Sequence, residues 1–334
     1  MKNPIKNMST KVNNSEQNIL LIPNEVNKYT VFNKHVDQDI VDMCDKQEAN
    51  IWLSSDINLM HDAKDWDKLN PQEQDYLKQV LAFFAGADGI VGENLCLNFI
   101  GEVQIPEVRY FYYFQSMMEA VHSKTYSQLI NTFIKSDQEK TELFQAIENN
   151  TIINKKADWC FKYMDKSVSF SRRILAFLAV EGIFFAGSFA SIFWIRDRGY
   201  LANSLGVANE YISRDETLHG EFAALLYKKY CKDLTHEEIL DILLSALAIE
   251  KEFVINALPV RLIGMNQDLM CQYLEFITDM WLTELDMPKY FNVEQPFEFM
   301  NMVGQRRKDN FFEKSRTNYA RQTEQQTLDF SLIF

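Results

Sequence analysis

Glu119-Ala120-Val121-His122-Ser123-Lys124-Thr125-Tyr126 is the first of two stretches in which a glutamate precedes a histidine by three residues; the second is Ser213-Arg214-Asp215-Glu216-Thr217-Leu218-His219. A helix turns about 100° per residue, so side chains three positions apart lie on one stripe of its surface. If both stretches are helical, each one projects a carboxylate and an imidazole from the same face. That pattern predicts two helices that offer metal ligands to a shared interior.

Two further acids lie in apolar surroundings. Asp88 interrupts the apolar run 81–91, and Glu181 interrupts the run 177–185. A buried carboxylate must be paired, protonated or bound to metal. Taken singly, each acid could pair with an arginine, and each histidine could be a hydrogen-bonded core residue.

The order along the chain favours a metal site over those separate explanations. An acid, a Glu-x-x-His pair, a second acid and a second Glu-x-x-His pair follow one another, which is the ligand set of bundles that hold two iron or two manganese ions. The sequence therefore predicts an all-α, ferritin-like helical bundle with a buried dinuclear metal site. The predicted ligands are Asp88, Glu119, His122, Glu181, Glu216 and His219.

The ligand types restrict the choice of metal. Four carboxylates carry about four negative charges, which two divalent cations neutralise. Oxygen and imidazole ligands suit iron or manganese, and no cysteine lies near the motifs, which disfavours an iron–sulfur cluster. We expect two iron ions per chain, with manganese as the alternative.

Tyr126 follows His122 by four residues, about 6 Å along the same helix face, so its ring can approach the metals. An oxidising metal centre could remove an electron and a proton from this tyrosine. By spacing alone, Tyr126 could equally be an ordinary core tyrosine, because the chain contains 14 tyrosines.

Composition excludes some function classes. A net charge of −13 argues against a nucleic-acid surface, which needs a basic face. The five cysteines are scattered and odd in number, so we expect reduced thiols in a cytoplasmic protein rather than a disulfide framework. Residues 174–195 are apolar enough to cross a bilayer, but Glu181 would be costly in lipid. We therefore predict a buried core helix there, no second candidate span and no membrane partner.

The chain divides into three predicted parts. Residues 1–30 form a polar lead-in, residues 31–310 form the helical domain, and residues 311–334 form a polar tail with an apolar end. Helices are expected at about 70–99, 105–134, 168–195 and 203–230, with a further helix after the capping pattern at 235–238. The tail is interpreted as a docking peptide, and the alternative is a frayed C-terminus.

These residues resemble the small, radical-generating subunit of class I ribonucleotide reductase in its eukaryotic-like form. The resemblance extends from about Trp52 to Tyr319. The motifs that carry it are Asp88-Gly89-Ile90-Val91, Glu119-Ala120-Val121-His122 with Tyr126, Val180-Glu181-Gly182-Ile183-Phe184-Phe185, Ser213-Arg214-Asp215-Glu216 with His219, Ala257-Leu258-Pro259-Val260 and Leu262-Ile263-Gly264-Met265-Asn266.

The resemblance implies a role for each matching residue. Asp88, Glu119 and His122 would bind one metal, and Glu181, Glu216 and His219 the other. Tyr126 would carry the stable radical. The remaining implied residues are the apolar pocket of Phe185, Phe189 and Ile212, the transfer route through Asp215 and Trp52, and Tyr319 in the tail, which would pass the oxidising equivalent on.

The resemblance also implies a homodimeric small subunit of ribonucleoside-diphosphate reductase whose tail docks on a large subunit that holds the nucleotide site. Family tails usually end in an acidic and aromatic peptide, whereas this one ends Asp329-Phe330-Ser331-Leu332-Ile333-Phe334. A specialised second small subunit, paired with another small subunit, is therefore an alternative. Rival interpretations of the ligand pattern are a di-iron hydroxylase or desaturase, an iron store and a radical-free structural partner.

Overall fold

The structure is a computed structural model that describes residues 19–21, 30–32, 37–257 and 265–300. The described residues contain helices and no β-strand, which confirms the predicted all-α class. The α-helices are α1 (Gln38–Ala49), α2 (Ala63–Trp66), α3 (Pro71–Asn94), α4 (Ile100–Glu102), α5 (Pro106–Phe133), α6 (Asp137–Phe144), α7 (Ala146–Asn149), α8 (Thr151–Met164), α9 (Phe170–Ala179), α10 (Ala186–Asp197), α11 (Leu205–Leu226), α12 (His236–Ala257) and α13 (Gln267–Glu284). Short 3₁₀ helices occupy Ile19–Leu21 and Ser54–Asp56.

The start of α3 follows from local chemistry. The Asn70 side chain accepts a hydrogen bond from the Glu73 backbone N–H, and the Glu73 carboxylate accepts one from the Asn70 N–H, both at 3.0 Å. Pro71 occupies the first helical position, where no backbone donor is needed. The predicted pattern at Thr235 and Glu238 forms the same reciprocal pair at the start of α12.

Within the described part of the chain, three π-helical turns interrupt helices that the sequence predicts as continuous. They are Leu95–Phe99 after α3, Val180–Phe184 between α9 and α10, and Tyr227–Cys231 after α11. Each π turn inserts an extra residue into the helical ladder, which rotates the side chains that follow. The second turn carries Glu181, so the helical phase around this acid differs from that of a straight helix.

The long apolar helices are parts of the core. In Phe170–Asp197, 94% of the most apolar window is buried inside the protein, as expected for a core helix. The prediction of a single candidate span was wrong, because Pro71–Glu102 also passes the length and composition test. Half of its apolar window is buried, which is the pattern of a helix that packs along one face.

The core places α3 beside α5 and places α9, its π turn and α10 against α11 and α12. Trp281 of α13 enters this arrangement and donates a hydrogen bond from its indole N–H to the Gly182 carbonyl at 3.0 Å. A Cβ at Gly182 would overlap the indole ring, and one at Gly220 would lie 2.6 Å from it. These two glycines therefore allow the close approach that holds the π turn against α11.

Candidate metal centre

Four helical segments supply the predicted ligands, and all six side chains are buried. Asp88 comes from α3, Glu119 and His122 from α5, Glu181 from the π turn, and Glu216 and His219 from α11. Ligand atoms of four of these side chains lie within 4.8 Å of one another, and these four are Glu119, Glu181, Glu216 and His219. The helix positions inferred from spacing thus converge in space.

The two histidines direct the same ring nitrogen into the cluster. His122 Nδ1 lies 2.9 Å from Glu216 Oε1 and 3.5 Å from Glu119 Oε2. His219 Nδ1 lies 2.9 Å from Glu216 Oε2 and 3.1 Å from Glu119 Oε1. The imidazole centroids are 6.3 Å apart. Glu119 and Glu216 therefore lie between the two rings and face both.

Burial and mutual repulsion set the protonation of the acids. Burial raises the pKa of Asp88 well above its usual range, and the charge of Glu119 raises it further. Burial and the charge of Glu216 likewise raise the pKa of Glu181. Burial also disfavours the charged form of Glu216, but a hydrogen bond with Glu181 and the charge of His219 lower its pKa below the usual range. Without cations, the acids cannot all be ionised together.

The histidines compensate for part of this charge. Burial opposes their protonation, yet the charge of Glu216 raises the pKa of His219 to about 9. The nearby carboxylate oxygens of Asp215, Glu119 and Glu216 raise the pKa of His122 in the same sense. In the absence of cations, protons on the histidines would therefore balance part of the carboxylate charge.

The oxygen and nitrogen atoms of the six side chains are better placed to bind cations than to form hydrogen bonds with one another. Among the described residues, neither Asp88 oxygen and neither Glu119 oxygen has a hydrogen bond of acceptable geometry, and the same holds for Glu181 Oε2, Glu216 Oε1 and His122 Nδ1. Buried hydrogen-bond donors and acceptors ordinarily have partners, so this many unpaired polar atoms in one place require an explanation. Oxygen and imidazole atoms aimed at one dry volume are the donor set of a dinuclear site for iron or manganese.

Tyr126 is fully buried on α5, and its hydroxyl has no hydrogen-bond partner among the described residues. Burial raises the pKa of this phenol well above its usual value, and the charge of Asp88 acts in the same direction. The ring stacks on Phe84, with centroids 4.6 Å apart and planes 5° apart. The hydroxyl therefore stays protonated in a dry environment.

The three residues predicted to form a radical pocket are buried, and a further ring, Phe84, packs among them. Phe185 and Phe189 pack against Phe84, with ring centroids 5.4 and 4.9 Å away, and Ile212 is fully buried on α11. Phe84 itself stacks on Tyr126 and was not singled out from the sequence. Its position four residues before Asp88, on the same face of α3, was the available signal.

A hydrogen-bonded route leads away from His122. Asp215 Oδ2 accepts a hydrogen bond from the Trp52 indole N–H at 2.7 Å and lies 3.2 Å from His122 Nε2. Arg214 donates hydrogen bonds to the other Asp215 oxygen and to the Asn50 carbonyl. No role for Arg214 was predicted from the sequence. The predicted continuation, Tyr319, lies outside the described residues.

Comparison with known proteins agrees with this geometry. The family model "Ribonucleotide reductase, small chain" matches residues 29–296. The ribonucleoside-diphosphate reductase small chain of Trypanosoma brucei brucei is 48% identical over 284 residues, covering 85% of this chain and 84% of the relative. The human ribonucleoside-diphosphate reductase subunit M2 is also 48% identical over 284 residues, covering 85% and 73%.

A solved structure supports the same fold. The ribonucleotide reductase Rnr4 homodimer from Saccharomyces cerevisiae superposes with a TM-score of 0.77 at 32% identity, covering 91% of this chain and 93% of that one. The predicted ferritin-like bundle with a buried carboxylate and histidine cluster is thereby confirmed.

Proposed function

The chain belongs to the small-chain family of ribonucleotide reductase, as a small subunit of ribonucleoside-diphosphate reductase, and we propose that it uses a dinuclear metal centre and O₂ to generate a radical on Tyr126. A large subunit then uses this radical to reduce ribonucleotides to deoxyribonucleotides. The single observation that carries the proposal is the convergence of buried, unpartnered donor atoms next to a buried tyrosine.

The proposed ligands divide between two metals. Asp88, Glu119 and His122 hold one metal, and Glu181, Glu216 and His219 hold the other. Bound iron or manganese supplies the capacity to take one electron from a tyrosine with O₂ as the oxidant. The short distances from both histidines to Glu119 and Glu216 support a place for all four side chains in the set that would hold the metals.

The surroundings of Tyr126 suit a long-lived radical. Oxidation removes one electron and one proton from the phenol, and the neutral radical that remains is destroyed by reductants and water that reach it. Phe84 covers one face of the ring, and Phe185 and Phe189 pack behind Phe84. We propose that these rings, with Ile212, exclude solvent from the radical.

The route out of the site runs through His122, Asp215 and Trp52. Asp215 faces both partners through one oxygen atom, so a shift of a proton at Oδ2 can accompany electron transfer in either direction. Trp52 is buried, whereas its neighbours Ile51 and Leu53 are about half exposed. The route therefore ends just beneath the surface, where Tyr319 and the tail 311–334 are proposed to continue it to the large subunit.

The hydrogen-bonded route also distinguishes the proposed function from that of a hydroxylase or desaturase. An enzyme that oxidises a bound substrate beside its metals has no need of a hydrogen-bonded path from a metal ligand to a tryptophan near the surface. Retention of Trp52, Asp215 and Tyr126 together favours export of an oxidising equivalent.

We propose a homodimer in the cytoplasm. None of the five cysteines, all of which lie in the described residues, forms a disulfide bond, which suits a reducing compartment. The lead-in 1–30 and the tail 311–334 remain predictions. Within the lead-in, the described residue Leu20 is fully buried, and its carbonyl accepts a hydrogen bond from the Gln104 N–H at 2.8 Å. A second small subunit as partner remains the alternative.

Electron paramagnetic resonance tests the proposal. The full chain, loaded anaerobically with Fe²⁺ and then exposed to O₂, should give a tyrosyl radical spectrum, as should a parallel sample with Mn²⁺ if manganese is the working metal. Tyr126→Phe should remove the radical and keep the metal content. Tyr113→Phe, at a half-exposed tyrosine on the same helix, is the control and should keep both. Metal-loaded wild type without any tyrosyl radical would contradict the proposal.

A further inference from the structure

A buried ion pair lies beside the site without belonging to its ligand set. Lys156 Nζ of α8 is 2.6 Å from Glu250 Oε2 of α12, and the two side chains are 1% and 0% exposed. Removing two charges from water costs several kcal/mol per ion, so a buried pair contributes little net stability on average. The position of this pair therefore calls for another explanation.

The ammonium group of Lys156 contacts both oxygen atoms and aromatic rings, among them the Phe253 ring, whose centroid lies 4.3 Å away. Besides the Glu250 carboxylate, it donates a hydrogen bond to the Phe184 backbone carbonyl at 2.9 Å and lies 3.3 Å from the centroid of the Phe83 ring. An ammonium has three protons to donate, and a cation over an aromatic face is stabilised by the ring quadrupole. The carboxylate, the carbonyl and the ring thus each face the charged group.

The Phe184 contact connects Lys156 to the segment that carries Glu181. Phe184 is the last residue of the π turn Val180–Phe184, and α10 begins two residues later at Ala186. Single π turns are uncommon and need local support, because they depart from the regular helical hydrogen-bond ladder. Lys156 binds where the turn returns to the α-helix.

The Phe83 contact connects Lys156 to the aromatic wall around Tyr126. Phe83 packs against Phe84 and Phe185, with ring centroids 5.5 and 5.6 Å away. Phe84 in turn stacks on Tyr126. One cation therefore contacts the backbone of the turn that carries a proposed ligand and, through Phe83, supports the ring that stacks on Tyr126.

Glu250 is placed to hold this cation and not to stabilise the protein on its own. Its Oε1 has no hydrogen-bond partner among the described residues, and a Cβ at Gly187 would come within 3.0 Å of that oxygen. Burial raises the pKa of Glu250 to about 7 and lowers the pKa of Lys156, and the charge of each group opposes the effect of burial on the other. The pair acts as a unit.

We propose that Lys156, held by Glu250, is a positioning residue that fixes the π turn carrying Glu181 and the Phe83–Phe84–Phe185 wall beside Tyr126. The contact geometry stands by itself, whereas the functional consequences rest on the proposed roles of Glu181 and Tyr126. Lys156 touches neither metal ligand nor substrate and acts through the backbone and the rings that it contacts.

The chain offers a matched control on the same two helices. Lys155 of α8 forms an ion pair with Glu252 of α12 at 2.6 Å, but its side chain is 51% exposed and its partner 43% exposed. Lys155→Met removes the same charge and the same type of link between α8 and α12. The test variants are Lys156→Met and the double variant Lys156→Met/Glu250→Met. The double variant keeps the side-chain volume and leaves no unpaired buried charge, so it serves if the single variant folds poorly.

The first experiment measures hydrogen–deuterium exchange of the full chain before and after loading with Mn²⁺. In both Lys156 variants, amides in residues 180–189 should exchange about tenfold faster than in wild type, while those of α5 and α11 stay unchanged. Lys155→Met should match wild type throughout. Wild-type exchange at 180–189 in a folded double variant would overturn the proposal, and so would uniformly faster exchange across the bundle, which indicates only a general loss of stability.

The second experiment measures effects at the site. The double variant should bind the weaker of two Mn²⁺ ions about fivefold less tightly by titration, and its tyrosyl radical should decay about tenfold faster with altered hyperfine splitting. Unchanged affinity, line shape and half-life would overturn the positioning role. If wild type forms no radical, the proposed function fails. Faster exchange at 180–189 and weaker Mn²⁺ binding in the variants would still support the positioning role of Lys156.

Discussion

His122 and Trp52 both contact the same oxygen atom of Asp215. Asp215 Oδ2 lies 3.2 Å from His122 Nε2 and accepts a hydrogen bond from the Trp52 indole N–H at 2.7 Å. The two rings also lie nearly parallel, with centroids 5.7 Å apart and planes 17° apart. His122 turns its other nitrogen towards Glu216, so the imidazole connects the carboxylate cluster to this route. Under the proposed function, this route would serve the use of the radical and not its formation.

Asp215→Asn should separate those events experimentally. An amide keeps only one acceptor oxygen, so its NH₂ group must face either Trp52 and His122 or the Arg214 guanidinium, which donates to the other Asp215 oxygen. Either orientation disturbs the route. The Tyr126 radical should still form, but deoxyribonucleotide production with a large subunit should fall by about 100-fold or more, as expected when a hydrogen-bonded transfer step is broken. Resonance spectra and nucleotide assays measure the two outcomes.

Asp241→Asn, at an exposed position on α12, is the control for that change and should leave both measurements at wild-type values. Wild-type turnover in Asp215→Asn would show that the oxidising equivalent leaves by another path.

Tyr126→Phe should not destabilise the metal-free protein. The Tyr126 hydroxyl is buried without a hydrogen-bond partner among the described residues, and such a group costs about 1–3 kcal/mol. Its removal should therefore leave the free energy of unfolding unchanged or raise it by about 1 kcal/mol. Denaturant unfolding of the apoprotein measures this. A loss of more than about 1 kcal/mol would reveal a partner for the hydroxyl.

The stability of the metal-free protein should fall as the pH rises. The folded-state pKa of His219 is raised from 6.5 to about 9, so its stabilising contribution is complete below pH 6.5 and is lost as the pH rises through about 9. The raised pKa values of His122, Asp88 and Glu181 act in the same direction. Thermal unfolding of the apoprotein from pH 6.5 to 9 should show a decreasing midpoint.

Metal binding should reverse this trend, because cations compete with protons for the same donor atoms. The increase in unfolding temperature on adding Mn²⁺ should therefore grow from pH 6.5 to 9. An apoprotein midpoint that is flat or rising over this range would contradict the protonation states assigned to the cluster.

Phe84→Leu should shorten the lifetime of the radical without preventing its formation. Leucine keeps most of the apolar volume but loses the flat face that stacks on Tyr126 at 4.6 Å. We expect the decay rate at room temperature to rise about tenfold, at a stability cost of about 1–2 kcal/mol. Phe161→Leu, at a half-exposed position on α8, is the control and should keep the wild-type decay. Equal decay in both variants would remove Phe84 from the shielding pocket.

Local sequence rules predicted much of the helical framework. The Asn70–Glu73 and Thr235–Glu238 pairs mark helix starts because capping involves residues three positions apart, and the structure confirms both. The helix expected at 105–134 is observed as Pro106–Phe133. The π turn at Val180–Phe184 was not predicted, because its support comes from Lys156 and Trp281, which are distant in sequence.

By itself, the sequence determined which side chains can share a helix face: Glu119 with His122, and Glu216 with His219, since helical periodicity is a property of neighbouring residues. Only the tertiary structure decided that Asp215 faces both His122 and Trp52, that Phe84 covers Tyr126, and that Lys156 meets Glu250 across 94 residues. Contacts between helices depend on how whole helices pack and rotate, and no short-range periodicity encodes that choice.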